Sequence, residues 1–410
     1  MSSPESTLPA TSEIPRSAVV ALSFAAFASG ISLRVTDALL PRLAQEFNVP
    51  IGTAASVITV FAVAYGLSQL FFGPMGDRFG KYLVIGWACV ACSLSALSCA
   101  LAPSFIGLLI ARTAAGATAA AIIPLSMAWI GDVIEYDRRQ PVLARFLIGQ
   151  IMGLSAGVMV GGFAAEHLSW RVPFYGVAAM FVVTSVIVLS VNRRLPPHAR
   201  LVRRVAGSAW ARMLSEFSQV LSVPWARVVL TTVFLEGVFL YGAFAFIVSH
   251  LHLRYNLPLA AAGGVVMLFG FGGLLFALGV QTLVRRLGEV GLSRWGGGLV
   301  AVAFFCIAFA PVWWWAIPAC FVAGRGFYML HNTLQINATQ MAPERRGAAV
   351  SAFASCFFLG QSVGVGVDGL LLPVLGTANI IAIGATGVLV VALNFGRLRA
   401  RRLTAARAAL

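Results

Sequence analysis

Charge is what this sequence has least of. Only 10% of its 410 residues are Asp, Glu, Lys or Arg, while 59% are hydrophobic. An ordinary soluble domain is about 25% charged. A chain with so little charge has no means of covering a surface in water, which excludes a soluble globular protein and leaves an integral membrane protein. Lysine is nearly absent, with Lys81 alone among the arginines. The 29 basic residues outnumber the 14 acidic ones, yet they fall in short gaps between apolar runs. They therefore speak of membrane topology, not nucleic acid, since no stacking platform or base-reading motif accompanies them. The six cysteines lie inside apolar segments. Cys89 and Cys92 form a single C-x-x-C with no second pair, and read as small packing residues rather than a redox or metal site. No metal-spaced His/Cys cluster occurs, so no metal is expected. The absence of a G-x-x-x-x-G-K-[ST] loop argues against direct drive by ATP.

What is present is a series of long apolar runs. About 20 residues are needed to cross the hydrocarbon as a helix. Twelve such runs occur, near 18–40, 52–73, 82–102, 104–130, 142–165, 172–192, 227–249, 259–283, 292–310, 313–336, 348–372 and 376–396. The fourth is long and predicts tilt or extension past the bilayer. With the N-terminus inside, 23 of the basic residues fall in inside segments and three in outside gaps, the other three lying within helices. That bias predicts two cytoplasmic termini. The tryptophans of "PVWWWAIP" sit in an outside gap, where an interfacial aromatic belt belongs. Residues 1–17 read as a polar, disordered cytoplasmic tail. The longest gap, 193–226, is basic and separates a bundle over 18–192 from one over 227–396, with a basic cytoplasmic tail over 397–410. Equal halves predict an internal repeat, and "GPMGDRFGK" after the second run has an echo in "GVQTLVRRLGE" after the eighth. Repeated halves with a site at their interface are a transporter architecture.

The most specific stretch is "GPMGDRFGKYLVIG" (73–86). Gly73, Asp77, Arg78, Gly80 and Lys81 fill a tight inside turn, the glycines permitting the bend and the charges holding it at the water boundary. It resembles the loop motif G-x-x-x-D-R-x-G-R/K of the major facilitator superfamily. With the six-plus-six layout, the resemblance covers essentially the whole chain. It implies an all-α membrane fold of two pseudo-symmetric six-helix bundles that rock about a central cavity lined by helices 1, 4, 7 and 10. It also implies that the loop latches the halves together, with Asp77 near the start of helix 11 after "MAPERRG" (341–347). "ARTAAGATAAAIIP" (111–124) resembles the family's helix-4 motif, with Arg112 and Gly116. "GQIMGLSAGVMVGG" (149–162) resembles the helix-5 motif associated with antiporters. Gly149, Gly153, Gly157, Gly161 and Gly162 are expected on one helix face, although Val158 stands where that motif usually has proline. The same glycines also fit ordinary small-residue packing. "GLSAG" (153–157) lies mid-helix and is no hydrolase elbow. "GVGVDG" (364–369) follows no strand and is no dinucleotide site.

Seven ionisable side chains fall within the runs: Arg34 and Asp37, Arg112, Glu236, Arg325 and His331, and Asp368. Six charges at roughly 3 kcal/mol each would cost about 18 kcal/mol facing lipid, more than a typical net stability of about 5–15 kcal/mol. They are therefore expected to face the interior, paired or hydrated. Arg34 and Asp37 share a helix face, and Arg112 lies at similar depth, so these three form one expected cluster. Glu236 and Arg325 form its expected counterpart. Each cluster is either a coupling site or a structural ion pair. His331, Asn332 and Gln335 either extend the cavity wall or pack near the inner surface. Asp368, near a helix end, is expected at an interface. Asp37, beside two arginines, should stay ionised until a partner leaves, whereas Glu236 is the residue expected to carry a proton. The resulting expectation is a monomeric transporter, not an enzyme, in a bacterial inner membrane. It would need no cofactor and would use protons to export small organic or drug-like molecules. Proton-coupled uptake of an organic anion and a non-transporting sensor are the alternatives.

Overall fold

Backbone groups in hydrocarbon must bond within their own segment, so apolar runs of this length fold as helices. The computed structural model describes residues 16–200 and 209–408, which leaves most of the expected N-terminal tail and the middle of the basic gap outside the described residues. Among the described residues, nine helical stretches can cross a membrane by length and hydropathy. Two of these are double crossings, broken at Gly288 and Gly376, and the more polar helix Ala316–Met341 is a further crossing. The result is twelve helices. They are α1 (Arg16–Arg34, resuming as Leu40–Glu46), α2 (Ile51–Phe79), α3 (Lys81–Ala100), α4 (Phe105–Val133), α5 (Tyr136–His167) and α6 (Val172–Arg194). After a surface helix, Ala209–Ser222, come α7 (Pro224–Tyr255), α8 (259–287), α9 (289–309), α10 (Ala316–Met341), α11 (346–375) and α12 (377–408).

In the first bundle α1 packs on α5, α2 on α4, and α3 on α6; in the second, α7 packs on α11 and α8 on α10. The bundles meet through α5 against α8 and α2 against α11. Both junctions are tightest at the face opposite the start of α1. There a Cβ on Gly369 would overlap the Gly52 backbone, and one on Gly162 would overlap the Leu259 carbonyl. The Leu259 N–H also donates to Glu166 Oε2 at 2.7 Å, one polar bond across the seam. At the other ends of α2 and α11, Gly73 and Gly347 look onto open space. The halves are thus closed at one face and parted at the other. Trp314 and Trp315, 57% and 53% exposed, stand at the closed face as an aromatic belt would.

Two features differ from a reading of uninterrupted helices. The first crossing breaks between Arg34 and Leu40, where Leu39 N bonds back to the Thr36 carbonyl. The seventh loosens into a wide π turn at Gly237–Tyr241 and then a second turn, where Phe246 N bonds the Ala243 carbonyl. Irregular backbone at this depth is stable only when protein supplies its bonds; the break in α1 is buried, and the π turn of α7 packs on α11 and α12.

Candidate substrate and coupling site

The break in α1 exposes main-chain acceptors, and Arg112 of α4 uses them. Its Nη1 donates to the Ser32 carbonyl at 3.1 Å, its Nη2 to Thr36 Oγ1 at 3.4 Å and its Nε to the Val57 carbonyl of α2 at 3.2 Å. The guanidinium also lies 4.2 Å from the centre of the Phe61 ring. Arg112 is 1% exposed, so these contacts replace its water entirely. Arg34 Nη1 meets Asp37 Oδ2 at 3.2 Å within the same break, and Asp37 Oδ1 has no partner. The Arg34 guanidinium then reaches across to the second bundle and stacks over Tyr241 of α7 at 3.8 Å. Arg34, Asp37 and Arg112 therefore come together around one turn.

The second bundle arranges its charges differently. Glu236, 0% exposed, ends the regular part of α7. Its Oε2 bonds His331 Nδ1 at 2.9 Å, and its Oε1 has no partner. The expected pair with Arg325 does not form. Register explains why. On α4 a Cβ at Gly116 would overlap the Phe61 carbonyl of α2, and on α10 one at Gly324 would overlap the Phe269 carbonyl of α8. These are equivalent contacts, so the counterpart of Arg112, four residues before its glycine, is Cys320. Arg325 comes one residue after Gly324, turned about 100° around the helix. It is half-buried beside Gly272 of α8, and its Nε has no partner. Among the described residues, Asn332 and Gln335 are half-buried and join neither pair. Asp368 is half-buried and leans on α7, its Oδ2 2.6 Å from where a Cβ on Gly242 would stand, next to the seam residue Gly369.

The helix-5 glycines seat α1. Side chains at Gly149, Gly153, Gly157 or Gly161 would strike the backbone of Ser23, Phe27, Ile31 or Val35. Gly162 is turned away from this face and meets α8 instead. Gly360 and Gly364 do the same for α7, against the Phe234 and Val238 carbonyls. The reading of "GVGVDG" missed this role, although the G-x-x-x-G spacing of Gly360 and Gly364 carries it.

The turn between α2 and α3 depends on Gly80, whose φ of 93° suits glycine. Lys81 holds Asp77 at 2.9 Å and Asp132 of α4 at 2.6 Å. Gly73 and Arg78 flank the turn, Arg78 lying over the Phe79 ring at 5.2 Å. Among the described residues no ion pair joins Asp77 to the start of α11. In the echoing turn Gly288 has φ of 60°, and Glu289 accepts from Asn337 at 2.8 Å and from Arg399 Nε at 2.8 Å.

Against known proteins, the profile of the Major Facilitator Superfamily matches residues 22–365. The chain belongs to the Major Facilitator Superfamily. It is 24% identical over 352 residues to the uncharacterized MFS-type transporter YceJ of Bacillus subtilis, covering 84% of this chain and 86% of that one. It is also 24% identical over 361 residues to the quinolone resistance protein NorA of Staphylococcus aureus, covering 84% and 89%. Two solved structures share the fold. The nucleoside transporter NupG has a TM-score of 0.74 at 15% identity, over 92% of this chain and 98% of its own. A bacterial homolog of the human lysosomal transporter Spinster, inward-facing and unoccupied, has 0.73 at 17% identity, over 94% and 96%. This facilitator is an integral membrane transporter; Arg34 reaches from its first bundle to Tyr241 of its second, while Arg112 is held within the first bundle and Glu236 and His331 pair within the second.

Proposed function

We propose that this facilitator is a proton-coupled exporter of small organic or drug-like molecules, working by alternating access in a bacterial inner membrane with both termini cytoplasmic. The orientation is supported by the arginine bias, which sets 23 basic residues on one side against three on the other. Export of drug-like molecules is supported by the likeness to a quinolone resistance protein. Proton coupling rests on one observation above all. Glu236 is fully buried, bonded through one oxygen to the His331 imidazole and through the other to nothing among the described residues. A carboxylate so placed is stable in either protonation state only at the expense of its neighbours, so its proton is tied to their arrangement.

In this mechanism the Arg34–Tyr241 stack joins the bundles while the outer seam is closed. Rocking the bundles separates α1 from α7, breaks that stack, and opens Glu236 and Asp37 to the other side. The latch residues Asp77, Arg78 and Lys81 would engage α11 when the parted face closes. The test is transport in proteoliposomes with an imposed pH gradient, read by a pH-sensitive dye. Wild-type protein is expected to dissipate the gradient when substrate is added, and Glu236→Gln to fold but not to do so. Undiminished proton-driven flux in that variant would remove Glu236 as the obligatory carrier. Substrate movement that leaves the gradient intact would remove proton coupling.

A further inference from the structure

A cavity of about 20 Å³ lies between the bundles, level with the breaks in α1 and α7. Its polar lining comes from four side chains: Arg34, Ser155 of α5, Tyr241 of α7 and Tyr328 of α10. Each has a proton to donate, and a guanidinium can do nothing else. Neither carboxylate of the site lines it. Asp37 takes one N–H of Arg34, whose guanidinium lies over the Tyr241 ring and lines the cavity. Ser155, 5% exposed, has a hydroxyl without any partner. Gly270 faces that hydroxyl so closely that a methyl group there would overlap it. A buried, unpartnered hydroxyl beside a cation costs free energy unless something accepts from it.

The walls are aromatic. Phe244 and Phe269 line the cavity with ring centres 4.8 Å apart, edge to face. Beyond them Phe327 contacts Phe269 at 5.6 Å and stacks on His331 at 5.0 Å, which continues the apolar path along α10 toward the parted face. The space suits a head group of about water size, with a flat apolar body behind it.

From this arrangement we infer that the cavity is the seat of a carboxylate head group, and that the preferred substrates are planar aromatic monocarboxylates. The head accepts from Arg34, Ser155 and Tyr328, and the ring lies among Phe244, Phe269 and Phe327. This names a substrate class for the transport reading above and rests on it for the movement of that substrate, though not for its binding.

Binding is measured by titration calorimetry on the full-length protein in nanodiscs with a matched series: cinnamate, cinnamamide and cinnamylammonium. Charge-assisted hydrogen bonds predict cinnamate binding roughly tenfold or more tighter than the amide, with the ammonium weakest. Ser155→Ala and Tyr328→Phe should each weaken cinnamate about threefold to tenfold and leave the amide unchanged. These two variants keep the test valid should Arg34→Lys fail to fold. Equal binding of acid and amide, preference for the ammonium, unchanged ratios in the variants, or no binding of any member overturns the inference. Flux in proteoliposomes separates it from the parent reading. Proton-coupled export of the amide or ammonium without the acid overturns the carboxylate site and spares proton-coupled export. Tight cinnamate binding without flux supports the site and counts against the transport reading.

Discussion

The two bundles are built on one scaffold and carry different chemistry. Gly116 on Phe61 and Gly324 on Phe269 are the same contact made twice, as are Gly153 on Phe27 and Gly360 on Phe234. On that shared frame the first bundle places Arg112, permanently charged and bonded to three acceptors, where the second places Cys320. The second bundle instead buries Glu236 against His331. The turns repeat the inversion, with Lys81 held by two carboxylates and Glu289 held by an amide and an arginine. The first bundle's charges are held by main-chain carbonyls, a hydroxyl and an arginine–aspartate pair, and the second's buried carboxylate by an imidazole. The lesson is that one scaffold carries two unlike charge arrangements, a guanidinium among main-chain acceptors where α4 meets α1 and a carboxylate–imidazole pair where α7 meets α10.

The sharpest way to break that comparison is to truncate the equivalent residues Arg112 and Cys320. Arg112→Ala strands the Ser32 and Val57 carbonyls and leaves Asp37 with a single cation. The expected loss is about 3 kcal/mol or more, seen as little folded protein by fluorescence-detected size exclusion. Cys320→Ala removes one small buried group and should cost about 1 kcal/mol or less. Equal losses would mean that Arg112 is not the structural pivot.

Next come the glycine seats. Gly153→Ala and Gly360→Ala each drive a methyl group into a facing carbonyl, an overpacking cost of roughly 1–3 kcal/mol. The two thermal midpoints in detergent should fall by similar amounts. A large drop in only one would show that the scaffold is less symmetric than its contacts.

Smaller in stability, though not in function, is the contrast between the carboxylates. Asp37→Asn keeps an acceptor for Arg34 and should lower substrate-induced proton movement while the protein stays folded. His331→Gln keeps a bond to Glu236 and should change the pH at which transport is half-maximal. A pH profile unmoved by His331→Gln would put the responsive group elsewhere.

The smallest effect is expected at the turns. Lys81→Met releases Asp77 and Asp132 at the water boundary, where exposed pairs are worth about 0–1 kcal/mol. A few-fold slower flux at unchanged expression is the expected reading, with Glu289→Gln similar.

Much of the fold was legible from composition alone, because spanning helices need length and apolarity and little else. The helices carrying Arg34, Glu236 and His331 were equally plain. Partners were not, because hydropathy locates a helix only to within a few residues, and a one-residue error turns a side chain by about 100°. That is how Arg325 came to be expected beside Glu236. A better ruler lay in the chain. "FNVP" at 47–50 and "YNLP" at 255–258 repeat, with Asn48 and Asn256 both in left-handed backbone before a helix-starting proline. Counting from that pair brings Gly116 into step with Gly324 and leaves Arg325 out of step. The break in α1 had no such sign, since Arg112, which takes up the Ser32 carbonyl and the Thr36 hydroxyl there, lies far along the chain.

The seam at the closed face has a consequence for control of the resting state. It is made of bare main chain at Gly52 and Gly369 on one side and Gly162 and Gly263 on the other. Beyond the Leu259–Glu166 bond it rests on close main-chain approach, so closure depends on how thin the surfaces are rather than on any key fitting a lock. A single added methyl group is a wedge as thick as the gap. These four glycines are therefore the handles by which the population could be tilted toward the open form without touching the chemistry in the middle.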